Sequence, residues 1–336
     1  MTASRSIPLI RAAAIAPMRR WLAEQAQDAG PLLARAGLDW VPEDNPLVPI
    51  PLRAGIRFLV EIARVAGPDA PMRIARERGV FEIGPIGSLA LAAPTVRAAL
   101  HTIARNMPRH CTHEFFTVED CPQGVRIGDG WAINIGDAEA RHHVQQYVAA
   151  LVEGICHVSG ASGDSLARVI MIPHPTFALG HLRPWLGDRV IPGAARPLMV
   201  EIPDAVADRP MPAGEGRDPG QDWLPIRAGA TLSDSIGTLV ESMLAQTPPS
   251  IERVASAASL SPRTLRRRLA DEGTTLSEIV DRTRARLAIA RLASDRPPLL
   301  GALAQELGYA HQSALTRAAK RWGVQIASSK HNMEGG

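Results

Sequence analysis

Residues 250–276 read SIERVASAASLSPRTLRRRLADEGTTL, and the punctuation of this stretch decides the fold of the C-terminal third. Ser250 stands as a capping hydroxyl ahead of a short helix over 251–258. Ser259 and Leu260 turn the chain. Ser261-Pro262 starts it again, with a capping hydroxyl and then a proline at the first helical position, where the missing N–H costs nothing. The helix over 262–271 has two faces. Leu265 and Leu269, one turn apart, pack inward, while Arg263, Arg266 and Arg267, spaced i, i+3, i+4, share the other side. Two short helices across a tight turn make a helix-turn-helix. Guanidinium groups on such a face match guanine edges in a major groove. Ser261, Thr264 and Arg268 flank them, where phosphates would lie. For an arginine-rich helix taken alone, a merely solvated basic face is the competing reading.

Downstream, the pattern returns. Thr275 and Glu278 form a capping box for a long helix over 276–293, roughly 25 Å at 1.5 Å per residue. Residues 295–298 stop it. A short helix over 299–307 ends at Gly308, where a left-handed glycine belongs. A last helix over 311–322 turns Leu315, Ala318, Ala319 and Trp322 inward. Ser313, Thr316, Arg317 and Lys320 face outward, and Gln312 sits at its start with an amide suited to a base edge. Lys320 is suited to a phosphate. Upstream, the stretch over 232–245 carries Ile236, Leu239, Val240, Met243 and Leu244 on one face and stops at Thr247-Pro248-Pro249. The order helix, helix-turn-helix, long helix, helix-turn-helix is more specific than either unit alone. A stiff connecting helix would set two reading helices in successive major grooves, roughly 34 Å apart, on one side of a duplex.

The remainder is different in kind. Residues 204–230 are rich in proline and glycine and read as a linker, which divides the chain into 1–203, 204–230 and 231–336. In the first part, helical periodicity runs over 52–66 and 138–158, Thr95 is placed to cap a helix, and strands are expected over 115–118, 131–135, 169–172 and 197–202. Gln123-Gly124 marks an intervening turn. The fold expected is an α/β (α+β) domain followed by an all-α domain with two helix-turn-helix units joined by a long helix. Charge is uneven: residues 232–336 hold 14 Lys and Arg against 10 Asp and Glu, and the rest 23 against 24. The basic excess lies where a polyanion would bind. No apolar run is long enough to cross a bilayer and no secretory leader is apparent, so a cytoplasmic location and no membrane partner are expected. Three dispersed cysteines argue for reduced thiols.

At residues 250–276 and at LAQELGYAHQSALTRAAKRWG, residues 303–323, the sequence resembles the two reading units of AraC-type transcription regulators. The N-terminal part, through Ala36-Gly-Leu-Asp39, residues 84–100 and Ile172-Pro-His-Pro175, is similar to the arabinose-binding-type sensor region of a subgroup of that family. The resemblance spans roughly residues 30–323. It implies a sequence-specific regulator of double-stranded DNA controlled by a small-molecule effector, working as a homodimer, with RNA polymerase as a further contact. It also implies base reading by Arg263, Arg266 and Arg267 and by Gln312, Ser313, Thr316 and Arg317. The chain departs from the family in three places. Leu315 and Ala319 stand where aromatic residues are usual. Ala310 and His311 replace small capping residues, a loss worth about 0.5–2 kcal/mol. The usual Ser-Pro and Tyr-Arg ending is absent.

Other features are weaker. His110, Cys111, His113 and Cys121 match no structural zinc spacing and read as scattered core and surface positions. His142 and His143 are adjacent on a helix and are expected to point apart. No metal, cofactor or catalytic residue is assigned, and the chain is not expected to be an enzyme. Trp131, Trp185 and Trp223 are candidates to line a pocket, with plain core as the alternative. The competing overall reading is an enzyme or ligand-binding module joined to a DNA-binding domain whose second unit is impaired.

Overall fold

Strands β1 (Glu114–Cys121) and β2 (Gly124–Trp131) form a hairpin, and β3 (Arg168–Met171), β4 (Val190–Pro192) and β5 (Leu198–Pro203) complete a five-stranded sheet in the order β1-β2-β5-β3-β4. Neighbours are antiparallel except for β3 and β4. The computed structural model describes residues 6–76, 78–161, 163–194, 197–212, 223–227 and 229–324. Val125, Ile127, Val169, Met171, Leu198, Val200 and Ile202 are buried at alternate positions, as a sheet covered on one face requires. Helices α2 (Val96–His110) and α3 (Ala138–Val158) pack against the sheet, and α1 (Leu52–Ala66) packs against α3. Thr95 caps α2 by accepting the Ala98 N–H at 3.2 Å. A ribbon of Leu9–Arg11 and Pro49–Pro51 and several shorter helices complete the domain.

The hairpin corrects one expectation. The strand placed at 131–135 is instead β2, which ends at Trp131, and the turn falls on Pro122-Gln123. Glycines at 124, 128 and 130 hid the strand, because glycine weakens any strand pattern. Two of them have a packing reason. A Cβ on Gly128 would stand 2.7 Å from Thr117 Oγ1, and one on Gly130 2.6 Å from the Phe115 ring.

The C-terminal helices follow the sequence within two residues: α4 (Leu232–Leu244), α5 (Ile251–Ala257), α6 (Pro262–Asp271), α7 (Leu276–Leu292), α8 (Leu300–Glu306) and α9 (Gln312–Arg321). Ser250 accepts the Arg253 N–H at 3.2 Å and Ser261 the Thr264 N–H at 3.1 Å. The capping box closes both ways, Glu278 accepting the Thr275 N–H at 2.8 Å and Thr275 accepting the Glu278 N–H at 3.3 Å. The last helix begins at His311 with no side-chain cap, as its departure from the family pattern predicts.

Two cores result. One apolar cluster runs without a break from the sensor domain through α4, α5 and α6 to Ile279 in α7. A second, small cluster joins Ala288 of α7 to Leu303, Ala304, Leu307 and Leu315. The first helix-turn-helix is thus an extension of the sensor core, whereas the second hangs from α7. The segment expected as a linker opens with a helical turn, Asp204–Ala207, and its later described parts are irregular but docked. Trp223 is buried, the Met211 N–H donates to Pro94 O at 3.0 Å, and the Ile226 N–H donates to Pro108 O at 3.2 Å. Thr275→Ala should lower the local stability of the first turns of α7 by about 1 kcal/mol. Native-state hydrogen exchange would read this as faster exchange at 277–280 with the sheet unchanged.

Candidate nucleic-acid interface and sensor cavity

Burial of Leu265 and Leu269 fixes the rotation of α6 and leaves Arg263, Arg266 and Arg267 exposed. Arg266 lies 3.6 Å from Glu252 of α5, a solvated pair worth little. The Ser261 and Thr264 hydroxyls are 2.8 Å apart at the start of α6. Arg268 departs from the expected flank: it is half-buried and lines a cleft with Ile7, Pro51, Arg53 and Leu232, on the sensor side of the helix. Its spacing of i+3 from Leu265 puts it next to the buried stripe. On α9, Leu315, Ala318 and Ala319 are buried, and Gln312, Ser313, Thr316, Arg317 and Lys320 are exposed.

Charged side chains of α7 hold the second unit. Arg284 donates to Leu307 O at 2.9 Å and to Gly308 O at 3.2 Å, and its guanidinium lies 4.4 Å from the Tyr309 ring centre. Asp281 accepts from the Trp322 indole and from Arg321, each at 2.9 Å. Gly308 must be glycine, since its φ is +70° and a Cβ would fall 2.6 Å from Leu244 O. The turn of the first unit contains Ser259 at φ +56°, and Arg57 of α1 donates to its hydroxyl at 2.6 Å. Sequence reading missed this link, which joins residues 202 positions apart.

Arg57 belongs to a helix with a second role. Leu52, Gly55, Ile56 and Leu59 of α1 line a cavity of about 110 Å³, together with apolar residues of α2 and α3. That volume approaches one known to hold an aromatic ring. Its walls are apolar apart from His110, Glu114, Trp131 and Tyr147, the last of which donates its hydroxyl to Ala14 O at 3.1 Å. Asp129, beside Glu114 on the inner face of the hairpin, is fully buried. Among the described residues His110 Nδ1 has no hydrogen-bond partner, and the Trp131 N–H and the Asp129 oxygens have none other than the close Glu114 carboxyl. Burial, and then the neighbouring Glu114, push the Asp129 carboxyl well above the usual carboxylate range. Burial also raises Glu114, opposed by the nearby Asp129, Cys111 and Trp131 groups. Of the three tryptophans, only Trp131 lines this cavity; Trp185 lies under the Arg76 guanidinium and Trp223 under that of Arg109.

The family model described as the arabinose-binding domain of AraC transcription regulators matches residues 27–211, and a helix-turn-helix domain matches residues 254–323. The chain belongs to the AraC family of transcription regulators. This AraC-family regulator is 27% identical over 278 residues to the HTH-type transcriptional regulator VirS of Mycobacterium tuberculosis, covering 76% of each chain. It is 25% identical over 281 residues to the ornithine utilization regulator of Pseudomonas aeruginosa, covering 82% of this chain and 69% of that one. The crystal structure of the regulator CdpR from Pseudomonas aeruginosa aligns at 20% identity and a TM-score of 0.42, covering 92% and 95% of the two chains. The AraC-family regulator therefore has double-stranded DNA as its partner, through its helix-turn-helix region. Among its described residues no helix is long and apolar enough to cross a membrane.

In this AraC-family regulator the set His110, Cys111, His113 and Cys121 is scattered as read, and the reading of His142 and His143 is corrected. His110 and Cys111 are buried and Cys121 lies at the far end of β1, so that set is dispersed. His142 and His143, expected to diverge, have ring centres 5.5 Å apart, and both meet His174. Burial, and secondarily the Arg11 charge, lower His110 to about 4. A histidine so depressed gives stability that is full above its unfolded value of about 6.5 and is lost as pH falls toward 4. Between pH 7 and pH 5 the parent should therefore lose about 2 kcal/mol more than His110→Gln. Urea midpoints of both proteins at the two pH values measure the difference, and Asp129, which has the opposite sign, cancels in the comparison.

Proposed function

We propose that α6 and α9 read successive major grooves of an operator, and that a small apolar molecule with one hydrogen-bonding group, held in the cavity, sets how the first reading unit is presented. One observation carries the reading: α1 both lines the cavity and, through Arg57, grips the turn of the first helix-turn-helix. An effector pressing on Ile56 or Leu59 acts on the same rigid helix that fixes Ser259. A one-turn approach at Gly37 adds to the coupling, since a Cβ there would lie 2.9 Å from Ser256 Oγ. The effector's differential contact with two arrangements of α1 is what shifts the population between them. In this reading Arg263, Arg266, Arg267, Gln312, Ser313, Thr316 and Arg317 face bases, and Ser261, Thr264 and Lys320 face phosphates. Arg268 is assigned to the junction instead. The reading extends to a cytoplasmic homodimer that contacts RNA polymerase at its promoters, as the family resemblance implies.

Operator titrations at fixed salt test the DNA side. Arg263→Ala and Arg267→Ala should each weaken specific binding by about 1–3 kcal/mol, with Arg268→Ala close to the parent. Footprints should protect two major grooves per protomer; a single protected groove means that α9 does not read. The sensor side is tested by a metabolite screen for stabilisation. A hit should raise the melting temperature of the parent and not of Val148→Phe, which fills the cavity. Arg57→Ala should bind both operator and effector yet lose the response of one to the other.

A further inference from the structure

Glu139, His142 and His143 lie in the first two turns of α3, His174 in the loop that follows β3, and His181 in the short 3-10 helix Gly180–Leu182 beyond it. One ligand atom from each of Glu139, His143 and His174 falls within 4.8 Å of the others. His142 and His181 stand behind them, with Nε2 atoms 3.0 Å apart. His143 and His174 are 1% and 7% exposed. Among the described residues, His143 Nδ1 is buried with no hydrogen-bond partner. The His142 Nδ1–H donates to Ile172 O at 2.7 Å, so its Nε2 carries the lone pair and accepts from His181 Nε2, which fixes both rings behind the three ligands. Arg64 holds Glu139 through both carboxylate oxygens, at 3.2 and 2.8 Å, fixing its direction. The exposed Phe177 ring lies 4.9 Å from His174 and covers the cluster.

We propose that Glu139, His143 and His174, backed by His142 and His181, bind one borderline divalent transition-metal ion, with Zn(II) as the reference ion. Imidazole nitrogens with one carboxylate favour that class over the hard, oxygen-seeking cations. The site has a built-in consequence. His174 Nδ1 accepts the backbone N–H groups of Thr176 at 3.0 Å and Phe177 at 3.2 Å. A metal on Nδ1 displaces those donors. A metal on Nε2 forces the proton of the neutral ring onto Nδ1, which expels them too. Whichever nitrogen ligates, both hydrogen bonds are given up, and the turn closed by the His174 and Ala178 backbone pair is loosened. Metal occupancy is thereby tied to the conformation of residues 174–178, a second input on the sensor domain, separate from the apolar cavity.

The test uses the full-length, tag-free chain freed of metal by chelator and dialysis. Zn(II) calorimetry should give one ion per chain. Co(II) should give visible absorption bands of protein-bound metal. His143→Ala and His174→Ala should each weaken binding by about tenfold or more, Glu139→Gln should weaken it less, and His101→Ala, outside the cluster, should match the parent. Should an alanine variant not fold, His143→Gln and His174→Gln make the same comparison. Hydrogen exchange at Thr176 and Phe177 should speed up on adding Zn(II). Absence of stoichiometric binding, binding untouched by the His143 and His174 changes, or unaltered exchange at those two amides overturns the proposal.

Discussion

Ile279 and Ala288 lie nine positions apart on one helix and belong to different cores. The first is buried in the large apolar cluster that begins in the sensor domain, the second in the small cluster under α9. Everything about the reading surface depends on this sharing. Because α7 is anchored at its start by the sensor-side core and by the Thr275–Glu278 capping box, it carries the second unit as a rigid arm would. Because its later turns supply Asp281, Arg284 and Ala288, the second unit has a defined orientation and not merely a tether. The exposed arginines of α6 and the polar face of α9 are consequences of which residues those two cores consume.

Continuity of the larger core also changes what the domain boundary means. Composition divides the chain at 204–230, yet hydrogen bonds and burial join the first helix-turn-helix to the sensor domain. Arg57 reaches Ser259, the Ile7 N–H donates to Ser235 Oγ, and Gly37 lets its turn approach α5 closely. A sensor domain packed in this way shares its apolar core and side-chain hydrogen bonds with the first helix-turn-helix.

Legibility followed the range of the interactions. Caps and turns act over three or four residues, so Ser250, Ser261, Thr275 and Gly308 announced α5 to α9 almost residue by residue. Long amphipathic helices such as α1 and α3 were equally plain. Strand β2 was not, because its glycines serve Thr117 and Phe115 on the neighbouring strand and carry no pattern of their own. Arg268 was assigned by its charge, although its distance from Leu265 already placed it beside the buried stripe. The Arg57–Ser259 bond, the Glu114–Asp129 pair and the meeting of His143 with His174 depend on tertiary folding. The one signal in the sequence is a concentration of histidine between positions 142 and 181, and the divergence of neighbouring positions on a helix hides their common focus.

The disparity between the two cores grades resistance to unfolding along the molecule. Among the described residues a cluster of five, with Ala318 and Ala319 also buried on α9, holds the second helix-turn-helix, and its last helix begins uncapped. Such a unit opens at a lower free energy than the sheet or the proximal head. Warming or mild denaturant should therefore open α8 and α9 first, leaving the first helix-turn-helix packed on an intact sensor domain before cooperative melting begins.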